Sequence, residues 1–310
     1  MDNFMEYAEK FLYYEEVIVG KSLNTIKGYK KDITQFIDYL NEYEEIKTFE
    51  EIETMTFRSF IAYLNSNSNI ENSKESKSIS KRSINRKISA LRTFFKYLQE
   101  KDIVKTNKVT YITMPKFEKE LPNVLNKEDI NKLRESIDTS KITGIRDRLI
   151  IELLYSSGIR AGELIDLSEN MINTEEREIR VIGKGNKERI TFFSETTKKW
   201  LKKYIEEKMK TYKNYSRDVV FTNSRGEKLT TRSLRRLISD YAKKSELQKE
   251  VTPHIFRHTF ATELLNNGVD IRYLQELLGH SSISTTQVYT HISKAFLKDV
   301  YMKTHPMAKE

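Results

Sequence analysis

The sequence predicts a mainly α-helical protein of two domains, with a small β-sheet in the second. Three observations carry this: helical-period apolar stripes through the first hundred residues, a proline-bearing segment that interrupts them, and one β-hairpin pattern well beyond it. With 310 residues and 38% hydrophobic content, the chain is long enough to bury two cores.

Ser22 is placed as an N-cap before Ile26, Tyr29, Ile33, Phe36, Ile37 and Leu40, which share one helical face. Asn65 to Ser78 holds Ser, Asn, Lys and Glu with almost nothing to bury, and reads as a surface loop. A second helix starts near Ser80, with Ile84, Ile88, Leu91, Phe95 and Leu98 as its apolar stripe and Lys81, Arg82, Arg86, Lys87, Arg92 and Lys96 largely off it. Pro115 and Pro122 then stiffen an extended stretch. The expected division is a helical domain over 1–108, a linker over 109–123 and a second domain over 124–310. In that domain, Ile145 to Ser157 reads as an apolar-rich helix closed by Gly158. Glu178 to Ile182 and Glu188 to Phe193 read as a hairpin with the basic tip Gly183-Lys184-Gly185-Asn186-Lys187.

A formal net charge of +9 favours a polyanionic partner. No apolar run approaches the roughly 20 residues of a membrane-spanning helix, and the start, Met1-Asp2-Asn3-Phe4-Met5-Glu6, is too acidic for a signal peptide, so a cytoplasmic location is expected. With no cysteine, disulfides, thiol nucleophiles and Cys-ligated zinc are excluded. Neither a phosphate-binding G-x-x-x-x-G-K-[ST] loop nor an H-E-x-x-H pair occurs, so no cofactor and no metal are expected.

The strongest local signal is Thr252-Pro253-His254-Ile255-Phe256-Arg257-His258. A threonine cap and a proline at the first position mark a helix start, and His254 and Arg257 share a face beside N–H groups that favour a phosphate. An isolated H-x-x-R is more often capping and surface structure, and His254 with His258 also has the spacing of a metal pair. Further on, Asp270 caps a short helix bearing Ile271, Leu274, Leu277 and Leu278, which Gly279 closes just before His280. Ser284 and Gln287 have capping-box spacing and would open a helix presenting Tyr289. One tyrosine among 17 is ordinarily a packed ring.

Taken together these motifs resemble the tyrosine recombinase family. The match runs in order through Gly158-Ile159-Arg160-Ala161-Gly162-Glu163-Leu164, Lys184 in the hairpin, His254-x-x-Arg257, Leu277-Leu278-Gly279-His280 and Ser284 to Tyr289, with no departure at a catalytic position. Within the family, the sequence is most similar to the bacterial Xer recombinases, including the His305-Pro306 tail. The resemblance implies a helical core-binding domain and a catalytic domain forming a C-shaped clamp on DNA. It implies strand exchange through a 3′-phosphotyrosine at Tyr289, with Arg160 and Arg257 on the nonbridging oxygens and Lys184 protonating the departing 5′ oxygen. His254 and His280 would bond the phosphate and assist proton movement. A carboxylate at Glu163, three residues after Arg160, suits orienting the active-site helix or a basic neighbour better than performing chemistry.

The implied partner is duplex DNA at a specific site, held by a tetramer on two duplexes, with room for a paralogous recombinase and a DNA translocase activator. A nucleoid-associated role in resolving chromosome dimers at cell division follows, against the alternatives of a phage or mobile-element integrase, a type IB topoisomerase-like enzyme and a noncatalytic DNA-binding protein. Basic residues at Lys30, Lys31, Arg82, Arg86 and Lys87, and at Arg232 and Arg235 in a helix start near Thr231, are candidate DNA contacts. Ala295, Phe296, Val300 and Tyr301 give the terminal helix an apolar side that could dock on a neighbouring protomer or on its own domain.

Overall fold

A computed structural model describes residues 3–67, 79–114, 124–183, 188–213, 216–279 and 294–308. It divides into two compact units, Met1–Lys119 and Glu120–Glu310.

In the first unit, α1 (Phe4–Tyr13) runs into a π-helical turn, Tyr14–Ile18, before α2 (Leu23–Tyr43), α3 (Thr54–Asn67) and α4 (Lys81–Glu100). Ser22 caps α2 as expected, and Ser80, at the expected helix start, caps α4, each accepting from the amide three residues on. The core is strongly aromatic: Phe36 stacks on Phe57 at 5.2 Å, and Phe60 and Phe95 meet it edge-on. Asp32, 1% exposed, links α2 to α4 through Lys87 at 3.0 Å and through Arg86. Two expectations shift here. Helix α3 continues through Asn67, so residues 65–67 are helical rather than loop, while 68–78 lie outside the described residues. The unit also extends past residue 108: Val109 and Ile112 are buried in its core, and Arg92 donates to the Ile112 carbonyl at 2.5 Å.

The second unit holds α5 (Lys127–Glu135), α6 (Ile142–Ser157), α7 (Ala161–Ile165), the strands β1 (Ile172–Asn173), β2 (Glu178–Ile182) and β3 (Glu188–Phe192), then α8 (Glu195–Thr211), α9 (Thr231–Lys244), α10 (Pro253–Asn266), α11 (Ile271–Leu278) and α12 (Lys294–Thr304). Helix α6 is buried around most of its circumference, its polar Arg146, Asp147 and Glu152 included, and forms the centre of the unit, packed against α8 and α10. Its buried Glu152 is held by Arg134 and Arg148, which is what makes a carboxylate tolerable there. Gly158 closes α6 at φ 59, and a Cβ there would lie 2.5 Å from the buried Phe260 ring. The two expected strands pair, Val181 against Arg189, with residues 184–187 of the expected tip outside the described residues, and β1 adds a third antiparallel strand too short for sequence periodicity to reveal.

The cap of α9 is Thr230, one residue before the expected start. Within its own unit α12 buries Leu297 and Tyr301, and the following His305 is 3% exposed, with its ring 5.2 Å from that of Tyr301. The apolar side of the tail therefore covers its own unit, leaving Phe296 43% exposed. Among the described residues no helix is long and apolar enough to cross a membrane.

Candidate active site

Four of the expected site residues are described: Arg160, Glu163, His254 and Arg257. Lys184, His280 and Tyr289 lie outside the described residues. The elements that flank them in sequence are described: β2 and β3 on either side of Lys184, and α11 with Gly279 immediately before His280.

Arg160 immediately precedes α7, and Glu163, third in that helix, reaches back to the Arg160 amide at 2.9 Å in the manner of a capping box. The same carboxylate receives Arg160 Nη1 at 2.7 Å, so helix start and side-chain direction are set together. Arg160 Nη2 donates to the carbonyl of Gly279 at 2.8 Å. Its side chain remains 38% exposed.

Arg257 lies one turn inside α10, which starts as expected with Thr252 capping and Pro253 at the first position. Arg257 is 7% exposed, donating Nη1 to the Gly158 carbonyl at 2.7 Å and Nη2 to the Leu278 carbonyl at 2.5 Å. His254, on the first turn of α10, is exposed. Among the described residues no three His, Cys, Asp or Glu side chains gather as a metal site would require.

Sequence reasoning passed over a third arginine. Arg189 on β3 is 8% exposed and grips Glu163 with a bidentate fork, Nη1 to Oε1 and Nη2 to Oε2, both at 2.7 Å. Its Nε donates to the Leu277 carbonyl at 3.0 Å. The three last carbonyls at the end of α11, of Leu277, Leu278 and Gly279, thus each receive a different arginine. This is the favourable arrangement for cations at the negative end of a helix dipole.

Electrostatically the cluster sets three guanidiniums against the Glu163 carboxylate. Burial would raise the Glu163 pKa, but the hydrogen bonds and charge of Arg189, and then those of Arg160, outweigh it and bring it down to about 2. Burial first, and the charges of Arg160 and Arg189 next, press the Arg257 pKa down to about 9. A guanidinium stays protonated at any working pH, so the cluster carries more positive than negative charge. Each guanidinium has five donors, and among the described residues Arg160 gives two bonds, to Glu163 and Gly279, and Arg257 two, to Gly158 and Leu278.

Of the candidate DNA contacts, Lys30, Lys31, Arg82, Arg86, Arg232 and Arg235 are exposed, although Arg86 also pairs with Asp32. Lys87 is a correction. It is 5% exposed, with Nζ 3.0 Å from Asp32 and 2.5 Å from Gln35, because the α4 stripe is wide enough to include it.

Residues 123–295 match the phage integrase family, and residues 9–102 match the phage integrase N-terminal SAM-like domain. The chain belongs to the phage integrase family of tyrosine recombinases. This recombinase is 40% identical to tyrosine recombinase XerC of Leptospira interrogans, over 100% of this chain and 96% of the relative. It is 41% identical to tyrosine recombinase XerD of Listeria monocytogenes, over 98% of this chain and 99% of the relative. Among solved structures its fold is similar to that of the XerH site-specific recombinase bound to palindromic difH substrate in a post-cleavage complex. The TM-score there is 0.70 at 22% identity, over 97% of this chain and 95% of that one. The Tn1549 transposon integrase, in complex with a circular intermediate DNA, shares the fold at TM-score 0.70 and 18% identity.

Proposed function

We propose that this recombinase exchanges strands between two specific DNA sites through a 3′-phosphotyrosine at Tyr289, and that its role is Xer-type resolution of chromosome dimers at cell division. One observation carries the reading. Arg160 and Arg257, far apart in sequence, converge on the successive carbonyls of Gly279 and Leu278 immediately before His280, with an excess of positive charge among the described residues.

In the proposed step the Tyr289 oxygen gives up its proton and bonds to phosphorus, and the bond from phosphorus to the 5′ oxygen breaks. Lys184 gives the departing oxygen a proton. Arg160 and Arg257 hold the nonbridging oxygens as charge builds on the pentacoordinate phosphorus, a task suited to prepositioned forked donors. His254 and His280 bond the phosphate and assist proton movement. One phosphoester replaces another, so the bond energy for rejoining is retained and no ATP is consumed. The guanidiniums supply the charge stabilisation a metal would otherwise give. Two domains clamp each duplex and four protomers pair two duplexes, with a paralogous recombinase and a DNA translocase activator as candidate partners. The full-length similarity to curated XerC and XerD proteins supports the chromosomal role.

A supercoiled plasmid carrying two copies of the host's chromosomal dimer-resolution site, incubated with the protein in chelator and without ATP, tests this. Site-dependent exchange products are expected. Relaxation without exchange would point to a topoisomerase-like activity, and exchange only at mobile-element ends would overturn the chromosomal role.

A further inference from the structure

Arg189 is not among the residues assigned a part in strand transfer, yet it is the most fully engaged member of the arginine cluster. All three of its guanidinium nitrogens are taken by protein acceptors: both oxygens of Glu163 and the carbonyl of Leu277. At 8% exposure and with its donors turned inward, it is not placed to bind a phosphate itself. What it binds is the carboxylate that directs Arg160, since Glu163 Oε1 is shared between Arg189 Nη1 and Arg160 Nη1, at 2.7 Å each. It also holds the end of α11, where the other two arginines attach. A further contact narrows the fit. Gly279, at φ 62, lies against the Arg189 side chain so closely that a Cβ there would stand 2.7 Å from Cδ.

We propose that Arg189 is a positioning residue of strand transfer: by clamping Glu163 and the end of α11 it fixes the direction in which Arg160 presents its fork to the scissile phosphate. This rests on the reading of Arg160 as a phosphate-binding residue. Lysine at 189 would keep the charge but could not hold both carboxylate oxygens and the Leu277 carbonyl at once.

The test compares wild type, Arg189→Lys, Glu163→Gln and the double variant. It follows single-turnover formation of the covalent protein–DNA adduct on a nicked site, together with site affinity and melting. Arg189→Lys is expected to slow adduct formation by about tenfold or more with site affinity nearly unchanged, and the double variant to be no slower than the slower single, because the two residues act as one unit. The rate should also gain an acid limb. Without the Arg189 fork the buried Glu163 carboxyl titrates higher, and its hold on Arg160 is lost as pH falls through that raised pKa.

Multiplying rate losses, or a slowing that tracks a fall in melting temperature with an unchanged pH profile, would overturn the proposal. If Arg189→Lys does not fold, Arg189→Gln combined with Glu163→Gln, which removes both opposite charges, is compared with Glu163→Gln alone, and equal rates are expected. A carbon-13 titration of Glu163 in the DNA-free protein reads the same clamp without activity. A Glu163 pKa unmoved by Arg189→Lys refutes the clamp, whereas a moved pKa in a protein whose wild type forms no adduct refutes the underlying reading and leaves the clamp standing.

Discussion

Gly158 joins fold and site at one residue, and Gly158→Ala puts a number on that junction. At φ 59 an L side chain costs about 1–2 kcal/mol. The new methyl would also meet Phe260 Cδ1 at 2.5 Å, and because that ring is fully buried it cannot swing into solvent, so overpacking adds roughly 1–3 kcal/mol. The sum, about 2–5 kcal/mol, is a large share of a typical domain's 5–15 kcal/mol and translates to roughly 4–20 °C in melting temperature for a unit of this size. Activity should fall with it even below the new melting point, since the Gly158 carbonyl anchors Arg257 Nη1 at 2.7 Å. Thermal and urea denaturation of the full chain measure the first effect and covalent adduct yield the second. Gly162→Ala is the control for stability. Nothing lies within 4 Å of its added Cβ and its φ is ordinary, so it should leave stability unchanged or raise it by a few tenths of a kcal/mol. A Gly158→Ala protein that melts within about 1 °C of wild type would refute the reasoning.

Burial, opposed only in part by its bond to the Tyr155 carbonyl, lowers the His305 pKa to about 4. A depressed histidine favours the folded state while neutral, so its contribution is complete above about pH 6.5 and is lost as pH falls toward 4, up to on the order of 3 kcal/mol. His305→Gln should flatten urea stability against pH across that window. In the first unit, Asp32→Asn leaves the buried Lys87 without its carboxylate and should cost about 3–5 kcal/mol, with Lys87→Met restoring part of it; equal stability of Asp32→Asn and wild type would remove the pair's structural role. Arg82→Ala and Arg232→Ala, both at exposed positions, should each reduce the slope of log affinity against log salt by about one, in a titration on the specific site. Slopes identical to wild type would take both residues off the DNA face.

Local punctuation made much of the fold legible. Ser22, Thr252 and Asp270 cap the helices expected of them, a helix starts at Ser80 as expected, and Gly158 and Gly279 close theirs in the left-handed region. These signals lie within four residues of the feature they specify, which is why a single sequence carries them. What stayed hidden depended on partners distant in the chain. Lys87 looked like one more cation flanking an apolar stripe until α2 brought Asp32 against it. Val109 and Ile112 sat in what read as a linker because their burial comes from a core assembled elsewhere in the first unit. Arg189 sits among strand residues with no recognisable spacing to Glu163, and only the approach of β3 to α7 and α11 gives it its three acceptors. The family motifs brought Arg160, Glu163 and Arg257 to notice.

The central claim is that Tyr289 takes the DNA strand while Arg160 and Arg257 hold its phosphate. Its most direct test is to trap the adduct on a nicked recombination site in chelator, digest it with nuclease and protease, and locate the residual nucleotide by mass spectrometry, with Tyr289→Phe in parallel. The account predicts a phosphonucleotide on the peptide containing Tyr289 and no adduct from the variant. A nucleotide on any other residue, or an adduct that persists in Tyr289→Phe, would contradict it.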